Sequence, residues 1–152
     1  MKNLLIWSLL ILSFYACKTY NEDQKEVFNT TIKAHIDSLN QQGFKTLESG
    51  LFYRVIEEGE GKHNIKYTDN VEIYYTGSLL NGDVFQVITP EEALNFDVKE
   101  LIVGWQEALG LIREGGVIEI YIPPYLGYGD RKTEKIPQNS ILHFVLGVKK
   151  VV

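Results

Sequence analysis

Two hydrophobic rhythms run along this chain, and they change near residue 45. Upstream, Phe28, Ile32, Ile36 and Leu39 follow one another at steps of 4, 4 and 3, the repeat of one helix face. The spacing predicts an amphipathic helix over residues 25–42, with Val27 beside the stripe and Gly43 as its stop. Such a helix serves either as a spacer packed on its own domain or as a surface that pairs two copies or holds a partner. Downstream the period becomes two. In "GLFYRVIEEGEGK" Phe52, Arg54 and Ile56 share one face and Tyr53 and Val55 the other, before the run ends on Gly59 and Gly61. Val71, Ile73 and Tyr75 share a face of the next run, and Asn81-Gly82 is the two-residue signature of a hairpin. "GGVIEIYIPP" and "SILHFVLGVKKV" alternate in the same way. A single helical pattern interrupts them: Leu101, Trp105, Leu109 and Ile112, closed by Gly115 and Gly116. The pattern predicts an α+β fold, an antiparallel sheet with one short helix against one face.

The first residues belong to neither rhythm. "MKNLLIWSLLILSFYAC" carries one lysine and then an apolar run from Leu4 to Ala16, shorter than the roughly 20 residues of a membrane-spanning helix. It has the charged start and apolar middle of a secretory signal. Cys17, the only cysteine, follows the small residue Ala16, where cleavage would fall, and cannot form an intrachain disulfide. This arrangement resembles a bacterial lipoprotein, with the lipid attached to Cys17. The alternative is a plain signal peptide or signal anchor, since Phe14 and Tyr15 are bulky for a lipoprotein site. The expected organisation is a signal peptide at 1–16, a lipid-attachment cysteine, polar tether and helix at 17–44, and a folded domain at 45–152. The implied location is the bacterial cell envelope, facing the periplasm. The acidic Glu22 and Asp23 close behind Cys17 favour the outer membrane over the inner.

Composition narrows the chemistry. A net charge of −5 with no basic tract excludes a nucleic-acid partner. His35, His63 and His143 lie far apart without ligand spacing, so no metal is expected. His143 falls between the core positions Leu142 and Phe144 and therefore faces the other side of its strand. The acidic pairs Glu57-Glu58 and Glu91-Glu92 read as solvated. No nucleophile, phosphate-loop or metal motif occurs. What remains is an aromatic content of 12% concentrated near turns, as in "YIPPYLGYGD", where three tyrosines exceed what a turn requires.

Four segments in order carry a resemblance. "VEIYYTGSLLNGDVF", "FDVKELIVGWQEALGLIREGG", "IPPYLGYG" and "IPQNSILHF" are similar to the motif runs of FKBP-type peptidyl-prolyl isomerases. The resemblance covers about residues 46–150 and leaves 1–44 outside. It implies a twisted antiparallel sheet wrapped around one short helix, with an apolar pocket between them. It also implies catalysis of rotation about the peptide bond preceding proline, assisting the folding of exported proteins without a cofactor. Carried over by position, Tyr75, Phe85, Trp105, Tyr128 and Phe144 are the catalytic rings, with Trp105 as the floor. Leu101, Ile102 and Ile136, with Phe96 or Leu94, complete the substrate-binding wall. The Tyr128 hydroxyl and the backbone N–H of Ile102 or Ile136 would bond substrate carbonyls. The implied partners are proline-containing polypeptides and macrolide inhibitors. Three positions depart from the pattern. Gln86 stands where the family has an aspartate that orders the pocket and bonds macrolides, Gln138 replaces a rim proline, and Gly127 replaces an alanine, which loosens the turn before Tyr128. Gln86 therefore leaves open a second reading, a catalytically weak binding module or chaperone that holds an envelope partner.

Overall fold

The computed structural model describes residues 19–152. The signal segment and Cys17 lie outside the described residues. Helix α1 spans Glu22–Ser38 and is followed by strands β1 (Lys45–Thr46), β2 (Phe52–Glu57), β3 (Asn70–Leu79), β4 (Val84–Ile88) and β5 (Leu94–Asp97). Helix α2 (Val103–Leu109) then leads into β6 (Val117–Ile122) and β7 (Leu142–Val151). All strand pairs are antiparallel, in the order β1-β2-β6-β7-β3-β4, and β5 shares the outer edge of β3 with β4. The α+β expectation holds, and so does the hairpin. Gly82 takes φ +92 and the Asn81 side chain accepts from the Asp83 N–H at 3.0 Å, an Asx turn that explains the residue choice.

Both helices differ from their sequence-based limits. Helix α1 starts three residues early because Asn21 and Gln24 form a capping box, each side chain bonding the other's backbone N–H. It stops at Ser38, and Asn40 and Gly43 turn the chain away with φ of +53 and +84. Helix α2 keeps only seven residues. Leu101 and Ile102 precede it in extended backbone, with ψ of 162 and 148. Ile112 follows it in a turn, its N–H donating to the Leu109 carbonyl at 3.2 Å. The periodic apolar positions were real core contacts, but only the middle of the run is helical.

The two faces of β6 show how the core divides. Ile118, Ile120 and Ile122 point toward α2 and are fully buried with Leu109, Ile112, Leu142 and Leu146. Tyr121 points to the opposite face, where Ile32 and Ile36 of α1 pack against it, Phe52 and Ile141. Helix α1 thus covers the back of the sheet of its own domain. Its buried stripe is narrower than the sequence pattern, for Val27 and Leu39 are more than half exposed. The same back face buries one charge. Glu119 accepts from Arg54 Nε at 3.1 Å and from His143 Nε2 at 2.9 Å, and His143 Nδ1 lies 3.2 Å from Ser78 Oγ. His143 stacks on Tyr121 with ring centroids 4.4 Å apart. It faces away from Phe144, as alternation requires, and its role is structural.

Candidate active site

Strand alternation places Tyr75 of β3 and Phe144 of β7 on the α2 side of the sheet, where Gly77 is the cross-strand partner of Phe144. Trp105 comes up from the first turn of α2 and is the hub of the ring cluster. Its indole meets Tyr75 at 4.8 Å, Phe144 at 5.1 Å and Phe96 at 6.3 Å between centroids, all edge to face. Phe85 of β4 stands on Phe144 in the same way at 5.7 Å. Edge-to-face pairs are the favoured aromatic geometry, so these rings hold one another upright. Two glycines make the approach possible. A Cβ on Gly104 would sit 2.7 Å from Ile122, and one on Gly77 would sit 2.6 Å from both Phe144 and Phe85.

The rings surround a cavity of about 550 Å³, within the range of small-ligand sites. Tyr75, Phe85, Phe96, Leu101, Ile102, Trp105, Tyr128, Ile136, Phe144 and Gln86 all line it. Of the pair Phe96 and Leu94, only Phe96 reaches it. Leu94 lies one strand repeat away at the start of β5, 43% exposed, and is removed from the wall. Sequence reasoning missed Glu100, Thr133, Glu134 and Lys135, which form the polar mouth. No periodicity marks them, because Thr133, Glu134 and Lys135 sit in a loop and Glu100 in a single short 3-10 turn, Val98–Glu100.

The loop from Pro123 to Ile141 builds the far wall. A tight turn at Pro124–Leu126 is closed by Gly127 and Gly129 N–H groups donating to the Pro124 carbonyl, and Gly129 takes φ +62. This turn presents Tyr128. Thr133 and Ile136 then bond each other twice: Thr133 N–H to the Ile136 carbonyl at 2.9 Å, and Ile136 N–H to Thr133 Oγ1 at 3.0 Å. The Ile136 N–H is therefore engaged. The Ile102 N–H has no acceptor among the described residues, and so is a donor the site can offer. Gln106 steadies that position by donating from Nε2 to the Leu101 carbonyl at 2.7 Å.

The electrostatics are quiet. Burial pushes the Tyr75 phenol above its ordinary value, helped by the neighbouring Tyr128, so it keeps its proton at neutral pH. The Gln86 amide lines the cavity and makes no hydrogen bond to a described residue. Trp105 Nε1 is the single buried side-chain polar atom without a partner among the described residues. Its cost, about 1–3 kcal/mol, is stability given up to seat an indole at the cavity floor. No group of three or more His, Cys, Asp or Glu side chains among the described residues could hold a metal ion.

The site is a ring-walled cleft with a polar mouth and the Ile102 N–H at its edge. Residues 61–149 match the family model of FKBP-type peptidyl-prolyl cis-trans isomerases, and the chain belongs to that family. It is 41% identical over 109 residues to a probable FKBP-type peptidyl-prolyl cis-trans isomerase of Haemophilus influenzae, covering 70% of this chain and 45% of that protein. It is 38% identical over 135 residues to the peptidyl-prolyl cis-trans isomerase Mip of Coxiella burnetii, covering 86% of this chain and 56% of that one. The crystal structure of FkpA from Escherichia coli superimposes with a TM-score of 0.73 at 34% identity, over 86% of this chain and 62% of that one. The chain thus spans about half the length of these curated relatives.

Proposed function

We propose that this protein is a peptidyl-prolyl cis-trans isomerase that assists the folding of exported polypeptides. The observation that supports it best is the closed set of rings around the Trp105 floor, with the free Ile102 N–H at its edge. Rotation about an X-Pro bond must break amide resonance, against a barrier of about 18–20 kcal/mol. In the twisted transition state the carbonyl oxygen carries less negative charge than in the planar amide. A cavity that strips water from the carbonyl therefore favours the twisted form. The Trp105 indole supports the pyrrolidine ring, and Tyr75, Phe85 and Phe144 hold its flanks. The Ile102 N–H and the Tyr128 hydroxyl bond the flanking carbonyls and fix the orientation. Walls that fit the twisted proline better than the planar one complete the effect. A 100-fold gain needs only about 2.7 kcal/mol of such preference. No covalent step or cofactor enters.

A protease-coupled assay on a proline peptide, with and without a macrolide inhibitor, tests this reading. Turnover that is inhibited supports it. Binding of the peptide without turnover favours the second reading, a weak binding module, for which the unpartnered Gln86 is the specific observation. No helix among the described residues is long and apolar enough to cross a membrane. The leader pattern supports attachment through lipid on Cys17 and an envelope location facing the periplasm. Palmitate labelling lost on Cys17→Ser would test that anchor. If two copies pair through residues 25–42, Val27 and Leu39 are the apolar positions left exposed to do so.

A further inference from the structure

The N-terminal segment reaches across to the loop that carries Tyr128 and Ile136, although it lies outside the residues matched to the family model. Tyr20 is buried, and its hydroxyl donates to Asn139 Oδ1 at 2.6 Å. Its ring stands between Phe28 of α1 and Tyr125, with centroids 5.7 and 6.1 Å away. The Tyr125 hydroxyl donates to Asn29 Oδ1 at 2.8 Å, a second tie between α1 and the same loop. Asn139 holds φ +58, and its N–H donates to the Gly129 carbonyl at 2.7 Å. Gly129 directly follows Tyr128. A continuous line of bonds therefore runs from residue 20 to the backbone that presents the cavity's tyrosine.

The loop's own bonds, Arg131 to Tyr128 and Thr133 to Ile136, fix its shape, and burial of Leu126 and Ile136 in the core anchors its two ends, while its middle is held to the rest of the chain by polar ties. Residues 130–135 are all exposed. The tie on the other side, from Lys135 Nζ to the Phe85 carbonyl, is exposed and 3.4 Å long. The partly buried 2.6 Å bond from Tyr20 is the tighter long-range hold. The geometry points to Tyr20 and Asn139 as positioning residues: a strap from outside the family domain that seats Tyr128 and Ile136 against the cavity. The inference rests on the isomerase reading above.

Tyr20→Phe keeps the ring packing and removes only the hydroxyl. Asn139→Gly tolerates the positive φ and removes the acceptor with the rest of the side chain. A neutral hydrogen bond is worth up to about one decade in an equilibrium, so each variant should lower kcat/KM about 3- to 10-fold. The double variant should fall no further than the lower single, because both remove one bond. Amide exchange at Arg131 and Ile136 should quicken in all three. Ile36→Val, at the far end of α1, should lower the melting temperature while kcat/KM stays within about twofold of the parent. The inference is overturned by any of three results: parent turnover and exchange rates in Tyr20→Phe, losses that multiply in the double variant, or an equal loss of turnover in Ile36→Val. A parent protein inactive on proline peptides overturns the isomerase reading instead, and the exchange rates then decide the strap alone.

Discussion

Gly77→Ala would probe the cavity walls directly. An added Cβ would stand 2.6 Å from Phe144 and from Phe85, whereas carbon atoms rest at about 3.5–4.0 Å. Both rings must therefore move by about 1 Å. Phe144 is buried, and the free volume beside the two rings is the cavity they line. The displacement accordingly narrows the cleft. Overpacking of this kind costs about 1–3 kcal/mol, and a 1 Å misplacement in a site can cost about 100-fold in rate. We expect a melting temperature lower by about 3–12 °C and kcat/KM lower by about 10- to 100-fold, measured by thermal unfolding and the protease-coupled assay. The two readouts separate the links of the argument. A lower melting temperature with parent turnover would mean that the rings moved but do not form the reaction site. No change in either would mean that Gly77 does not contact them as described.

Trp105→Ala should reduce turnover of a proline peptide at least tenfold while far-ultraviolet circular dichroism keeps the sheet signal; unchanged turnover removes the indole from the site. Gln86→Asp puts a carboxylate on the cavity wall and should tighten macrolide binding, measured by Trp105 fluorescence; equal or weaker binding would show that this position does not order the pocket. Because the proposed reaction moves no proton, kcat/KM should stay within about twofold between pH 6 and 9, and a bell-shaped profile would point to acid–base chemistry instead. Burial alone would raise the Glu119 carboxyl, but hydrogen bonds from His143 and Arg54 and the Arg54 charge outweigh it and hold the group below its ordinary value of 4.5. A depressed carboxyl stabilises the fold above the unfolded value and loses that contribution as pH falls through the folded one. Glu119→Gln should therefore be less stable at pH 7 and flatten the loss of stability below about pH 4.5; a parent-like acid unfolding curve would show that the buried pair is not the cause.

The three tyrosines of "YIPPYLGYGD" mark where sequence and tertiary structure part company. Strand alternation and turn chemistry are local, so the chain's own pattern was enough to place the sheet, the hairpin at Asn81-Gly82 and Tyr128 on a glycine-bounded turn. The motif order was enough to nominate ten of the fourteen residues that line the cavity. Local pattern could not separate the roles of the other two tyrosines. Tyr121 packs edge to face on His35 of α1, and Tyr125 bonds Asn29, contacts that exist only once residues far apart in the chain are brought together. The same holds for the division between Leu94 and Phe96, for the choice of Ile102 over Ile136 as free donor, and for the buried Glu119 shared by Arg54 and His143. Each of these depends on which groups meet in space, and a hydrogen bond or a ring contact is decided by distance after folding rather than by spacing along the chain.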